Sequence, residues 1–180
     1  FLTRVRQGDA PQGKVIRVAT TNPAVLQRED RIAVNPARDW PQVREMLLNI
    51  SEQGETGIQA LSAPALFEWC VWRATVILAG PDGLTGRLSM TRRFNIADDL
   101  LPVNHAPGGG ADFVLPCQNN LIVAGEATLT SGSRQMAAEA EPVRRHIAEL
   151  GQAHAGEKMT CAIFVAPSLD MNTVQAFFTG

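Results

Sequence analysis

Asp112, Glu126, Glu139 and His146 are the residues of this chain whose types and spacing could do chemistry together. Asp112 opens the run DFVLP, Glu126 stands near the end of LIVAGEATL, and Glu139 and His146 follow in SRQMAAEAEPVRRHIAEL. Three carboxylates and an imidazole on consecutive elements form a donor set for cleaving a phosphodiester with a divalent cation. Hard oxygen ligands suit Mg2+, which keeps positions for water and for substrate phosphate. Such an ion lowers the pKa of an attacking water and offsets charge developing on the phosphate; Mn2+ is an expected substitute. In this scheme Asp112 and Glu126 share the ion, and Glu139 holds a second ion or orients the water. His146 serves as general acid or base, or touches the phosphate. The plainer alternative for His146 is a helix-surface histidine paired with a helix dipole.

The elements that must position these groups are legible around them. DFVLP and LIVAGEATL are short apolar runs joined through Pro116–Asn120, which predicts two paired strands. Thr130, Ser131, Gly132 and Ser133 supply caps for a following helix. On it Gln135, Glu139, Val143 and His146 recur at intervals of four, four and three, one stripe of a helix. Pro142 interrupts the backbone ladder, so the helix is expected to kink or to split in two there, ending at Gly151. MTCAIFVAP lacks polar alternation and predicts a third, central strand. Asn172 is placed to cap a last helix over TVQAFF.

Upstream, KVIRVAT reads as an edge strand, and Asn22–Arg38 as turns and charges without periodicity. A helix is predicted over PQVREMLLNISEQ, opened by Asp39 or Trp40, with Val43, Met46, Leu47 and Ile50 on one face. The most apolar helix spans PALFEWCVWRATVILAG, with Ser62 or Ala63 at its start, Pro64 at its first position and Gly80 as C-cap. Its only charges are Glu68 and Arg73. A carboxylate there must be paired, protonated or turned to a polar site, so Glu68 either meets Arg73 or backbone, or points into an active site. TGRLSMTRRFNIADDLLPV reads as irregular; Arg92-Arg93 within it can contact phosphate or form a solvated face. The glycines of NHAPGGGAD permit close backbone approach but match neither a P-loop nor a dinucleotide fingerprint. His105 beside them reads as a surface residue.

Bulk properties narrow the classes. A length of 180 residues with 45% hydrophobic and 19% charged composition describes an ordinary globular domain. The expected division is residues 1–60 as an N-terminal extension or leading part and 61–180 as the core. No apolar run is long enough for a membrane helix, and no signal peptide opens the chain. Phe1 in place of Met, and the close of the last helix at Gly180, read as marks of a fragment or processed product. Cys70, Cys117 and Cys161 are odd in number and widely spaced, which fits reduced cytosolic thiols rather than disulfides or structural zinc. A net charge of −2 argues against a surface that grips nucleic acid throughout. Lys14 and Lys158 are the only lysines, so arginine supplies the rest of the 16 basic residues.

VAGEATLTSGSRQMAAEAEPVRRH closely resembles the catalytic segment of the AlwI-type family of type IIS restriction endonucleases. In that family an acidic residue is followed by a V-x-V-E-x-T-L strand, S-x-R-Q, and E-x-x-P-V-x-R-H. ADFVL and IFVAPSLDMNTVQAFF resemble its first catalytic strand and its closing strand and helix, so the likeness covers about residues 62–180. It implies an α/β, restriction-endonuclease-like PD-(D/E)XK core, a mixed central sheet flanked by helices. It further implies Mg2+-dependent cleavage of DNA in the cytoplasm of a bacterium or archaeon. Asp112 and Glu126 would be the metal-binding acids, Glu139 and His146 active-site residues, and Glu68 the acid of the preceding helix. Thr128 stands where the motif has its lysine, whose task then falls to Glu139, Gln135 or Lys158, with Glu139 favoured. Thr128, Arg134, Gln135 and Arg144 are expected at the DNA, since arginine's fork suits phosphate oxygens. For Arg144 and Arg145 a surface salt bridge with Glu139, Glu141 or Glu149 is equally open.

The resulting expectation is a cleavage domain or small subunit. It would work with a separate recognition domain or subunit, and with transient dimerisation for double-strand cuts. The rival is a non-catalytic DNA-associated subunit of the same fold. A serine hydrolase built on Ser131 or Ser133 with His146 lacks the G-x-S-x-G elbow. A two-carboxylate glycosidase lacks sugar-stacking residues, with three tryptophans and no tyrosine.

Overall fold

A computed structural model describes residues 17–32, 35–50, 61–80 and 82–179. The element order is α1 (Pro23–Ile32), α2 (Pro36–Leu48), α3 (Ala63–Ala79), a 3-10 turn (Leu88–Met90), β1 (Phe113–Pro116) and β2 (Leu121–Ala127). Then come α4 (Ser133–Gln135), a π turn (Met136–Ala140), α5 (Glu141–Ala153), β3 (Met159–Val165) and α6 (Met171–Phe178). Residues 14–16 of KVIRVAT lie outside the described residues, and Arg17–Thr20 form no strand. The end of the helix expected over residues 41–53 also falls partly outside them.

The sheet is mixed, ordered β1-β2-β3, with β1 antiparallel and β3 parallel to β2. The hairpin turn uses Asn119 and Asn120 at φ 59° and 57°, the left-handed region that Asn tolerates. β2 is buried from Ile122 to Glu126. β3 is not central, as its unbroken apolar run predicted. Among the described residues it is an edge strand, with Met159 68% and Ile163 37% exposed. Continuous apolar sequence marks burial on both faces only where other elements cover both.

Helix α3 forms the middle of the core. Ser62 caps it by accepting the Ala65 N–H, Pro64 follows at the second helical position, and Gly80 ends it at φ 72°. Its apolar side chains join Val43 and Met46 of α2, Phe94, Ile96, Phe113, Leu115 and Val123 in one cluster. The α3 tryptophans satisfy their indole N–H groups on Leu100 O at 3.0 Å and Thr91 Oγ1 at 2.9 Å.

Two N-terminal helices depart from the reading of the sequence. Residues 23–32 are helical, not turns. Asn22 caps α1 through Ala24 N, and with Leu26 packed on the core polar contacts hold it: Glu29 to Arg92, Arg28 to Asp98 O, and Asp30 to Ser89 N. Helix α2 opens at Pro36 rather than at Asp39 or Trp40 and carries Pro41 inside it. The buried Asp39 meets Arg73 of α3 at 3.4 Å, which ties the first turn to the core.

The helix after β2 runs unbroken through Pro142, because the π turn just before it absorbs the missing N–H. That wider turn also shifts the expected stripe: the buried positions are Gln135, Ala140, Val143 and His146, with Glu139 half-buried beside them. The helix continues past Gly151 to Ala153, and α6 is capped by Asp170 rather than Asn172.

Candidate active site

The hairpin fixes the first two acids. Phe113 pairs with Gly125, and the Asp112 N–H donates to Gly125 O at 3.0 Å. Asp112 therefore stands across from Glu126 at the open end of β1 and β2. Its Oδ2 accepts the Ala127 N–H at 2.8 Å. Gly125 is required here, since a Cβ would sit 1.8 Å from the Phe113 ring.

Around this pair the structure gathers the other polar residues. Glu68, in mid-α3, is 7% exposed and accepts the Ala106 N–H at 2.6 Å. Its expected partner Arg73 is taken by Asp39. Glu139, on the π turn, accepts a hydrogen bond from the Thr128 hydroxyl at 2.7 Å. His146 Nδ1 lies 2.7 Å from Glu126 Oε1, and its Nε2 is buried without a hydrogen-bond partner among the described residues.

The electrostatics are those of acids without enough opposite charge. Burial and the Asp112 charge push Glu68 up to about 8, against the lowering pull of the Ala106 N–H. Burial, then Asp112 and Glu139, push Glu126 up to about 8, while Arg93 opposes them. Asp112 rises to about 6 by burial with Glu139 adding, and the Ala127 hydrogen bond, His146 and Arg93 work against the rise. Burial first, and then Arg145, lower the pKa of His146. Burial thus works against charge on both members of the Glu126–His146 contact, raising the pKa of the acid and lowering that of the imidazole.

Not every expected residue arrives. Gln135 is fully buried, and its amide is spent on Thr130 O, Ser168 O and Asp170 N. It fastens loops together, and its side chain is fully engaged within the protein. Thr128 gives its hydroxyl proton to Glu139 and accepts the Thr130 N–H, so it fixes the position of an acid. Lys158 precedes the start of β3, where Met159 pairs with Leu121 and Phe164 with Glu126. Six residue steps along the strand, about 20 Å, separate it from the level of Glu126. Of the candidates for the motif lysine's place, only Glu139 adjoins Thr128.

Arg134 and Arg144 are exposed. Arg134 lines an open cleft of about 1070 Å3, whose walls include Phe67, Leu129, Ala138 and Pro167. Arg145 pairs with Glu141 at 3.4 Å and Glu149 at 4.0 Å, the surface alternative foreseen for it. Arg92 forms a two-pronged ion pair with Glu29 and is structural. Its neighbour Arg93 was not singled out from Arg92 by any feature of the sequence, yet its charge acts on Asp112, Glu126 and His146.

As arranged, no three His, Cys, Asp or Glu side chains among the described residues stand close enough together to hold one ion. The chemistry of the donor set nevertheless fits a hard divalent cation. The pKa values of Glu68 and Glu126 are raised to about 8, first by burial and then by neighbouring acids, and Asp112 and Glu139 act on that set, so a cation would relieve all of them. Among the described residues no helix is long and apolar enough to cross a membrane.

Comparison with known proteins agrees with this architecture. In the solved structures the chain is similar to the small subunit (R.BspD6I2) of the heterodimeric restriction endonuclease R.BspD6I. The TM-score is 0.58 at 22% identity, over 74% of this chain and 64% of that one. The chain thus spans less than two thirds of that neighbour's length, and the likeness is one of fold. None of the curated proteins matches. The model of the AlwI restriction endonuclease family matches residues 32–180, most of the chain and the elements that carry Glu68, Asp112, Glu126, Glu139 and His146. The chain belongs to the AlwI restriction endonuclease family.

Proposed function

We propose that the chain is a Mg2+-dependent DNA endonuclease, the cleavage domain or small subunit of a type IIS restriction enzyme, with a PD-(D/E)XK-like site. The observation that carries this reading is the set of Glu68, Asp112, Glu126 and Glu139 crowded at one end of the hairpin, with His146 on Glu126. Elsewhere in the molecule buried acids are paired with arginines; these have hydrogen-bond partners but no arginine, and burial together with their mutual charge raises their pKa values, an arrangement a cation would complete.

Asp112, Glu126 and Glu139 would hold the ion, Mg2+ or in its place Mn2+. When bound, it supplies an acidified water and charge for the phosphate oxygens. His146 steadies the Glu126 carboxylate through Nδ1, as partners of metal-ligating groups commonly do. Thr128 does the same for Glu139. Nε2 of His146, buried and without a hydrogen-bond partner among the described residues, is the ring position left to exchange a proton once a substrate is seated. A protein of net charge −2 with few cations near its site binds DNA weakly on its own. Recognition therefore falls to a separate domain or subunit, and a double-strand cut to a second cleavage domain, by transient dimerisation or within a heterodimer. The fold neighbour's membership of a heterodimeric enzyme supports that reading.

The test is nicking of supercoiled plasmid with Mg2+ or Mn2+, with and without a fused DNA-binding domain. Wild type should nick only with metal, more strongly when fused. Asp112→Ala and Glu126→Ala should lose activity by at least about 100-fold, the scale of a lost transition-state contact. Equal nicking by all three proteins would refute the assignment. Absence of nicking under every condition would favour the non-catalytic DNA-associated subunit.

A further inference from the structure

We propose that Arg93 is a phosphate-binding residue of this site. Its guanidinium, held beside Asp112 by the glycine loop, takes a non-bridging oxygen of the DNA phosphate presented to the acids. The proposal rests on the nuclease reading and adds to it the positive group that the cluster otherwise lacks.

The backbone places Arg93 first. Its N–H donates to Asp112 O at 3.1 Å, and the adjacent Arg92 bridges to Phe113 at the start of β1. The segment carrying Arg93 is therefore the outer neighbour of the strand whose first flanking residue is the key aspartate. The side chain is fixed by neutral acceptors: Nη1 donates to Ala111 O at 3.4 Å and Nη2 to Gly108 O at 3.3 Å. The loop can approach this closely because residue 110 is glycine. A Cβ there would lie 2.4 Å from Nη1 and 3.1 Å from Cζ of Arg93. The GGG run has thus a specific use: its backbone is a seat for a guanidinium.

The seat holds the group without neutralising it. Arg17 pairs with Asp99, Arg73 with Asp39, Arg92 with Glu29 and Arg145 with Glu141. Among the described residues Arg93 pairs with no carboxylate. Two of its five N–H groups are engaged by carbonyls, which leaves a half-buried cation with donors to spare. Its charge still acts on Asp112, Glu126 and His146, and its head rests on the carbonyl of Ala111, the residue before Asp112. An anionic phosphate approaching the acids is repelled by those that carry charge. A preformed guanidinium offsets that repulsion and orients the phosphate by its fork. If Arg93 merely tied down the loop, any donor reaching the two carbonyls would do.

The experiment compares Arg93→Gln, Arg93→Lys and Gly110→Ala with wild type and Asp112→Asn in the full chain. Three readouts are taken: plasmid nicking with Mg2+, binding of a short mixed-sequence duplex against salt concentration, and Mn2+ binding without DNA. Gly110→Ala keeps the arginine and displaces its head, so it separates the group's position from its presence.

For Arg93→Gln we expect nicking to fall about 100-fold and the salt slope of DNA binding to fall by about one, with Mn2+ binding and the thermal midpoint unchanged. Arg93→Lys should restore the salt slope and only part of the rate. Gly110→Ala should lower the rate without lowering the midpoint. Wild-type rate and salt slope in Arg93→Gln would overturn the proposal, as would losses that follow the thermal midpoint and return fully with lysine. If Asp112→Asn binds Mn2+ and nicks like wild type, the nuclease reading itself fails. Loss in Asp112→Asn alone removes only the role of Arg93.

Discussion

Buried charge is handled in two opposite ways in this molecule. Where α1 and α2 meet the core, each buried acid has its own arginine: Glu29 is gripped at 2.8 and 2.9 Å by Arg92, and Asp39 lies 3.4 Å from Arg73. Arg92 also stacks on Trp72 and Phe94. At the open end of β1 and β2 the acids instead face one another, and Glu68 and Glu126 are driven toward neutrality. The first region is electrostatically finished and holds the fold. The second is unfinished, and an unfinished buried cluster is where a ligand belongs.

The sharpest way to break this contrast is to remove one acid from each region. Glu29→Gln leaves the Arg92 guanidinium buried without its anion, a loss of about 3–5 kcal/mol that chemical denaturation would register at neutral pH. Glu126→Gln should do the reverse in metal-free protein. A carboxyl raised from 4.5 to about 8 in the folded state supports folding fully below pH 4.5, and that support drains away as pH rises toward 8. Wild type should therefore lose stability across pH 4.5–8. Glu126→Gln should match it near pH 4 and exceed it at pH 8 by on the order of 2 kcal/mol. Equal pH profiles for the two would show that Glu126 carries no strain.

The smallest expected effect lies at Thr128. Thr128→Val removes the hydroxyl from Glu139 and should slow nicking roughly tenfold, the lower range for a group supporting a metal ligand. Thr128→Ser should restore the rate, and neither change should move the thermal midpoint appreciably. A Val variant with the wild-type rate would mean that the contact at 2.7 Å is incidental.

The same contrast marks what could be read from the chain beforehand. Helix α3, the hairpin and the positions of Asp112 and Glu126 were legible because apolar runs, caps and a long motif all agree. Helix α1 was not, since it is held by Glu29, Arg28 and Asp30 reaching far along the chain rather than by periodicity. Edge placement of β3 depends on what covers it, which an apolar run does not encode. Gln135 looked like a member of the site stripe, but one extra residue in the π turn sends it into the loops and leaves Glu139 at the acids. Arg92 and Arg93 are identical in local sequence. Only the register of the segment against β1 makes one a structural ion pair and the other a neighbour of Asp112.

The claim that the unpaired acids are reserved for a cation is most directly tested by titrating the chain with Mn2+ at pH 7, without DNA, while following bound metal and released protons together. Wild type should bind with release of protons from Glu126 and its neighbours, and Glu126→Gln should bind far more weakly and release fewer. Mn2+ uptake that is absent, or that is unchanged by Glu126→Gln and by Asp112→Asn, would contradict the account.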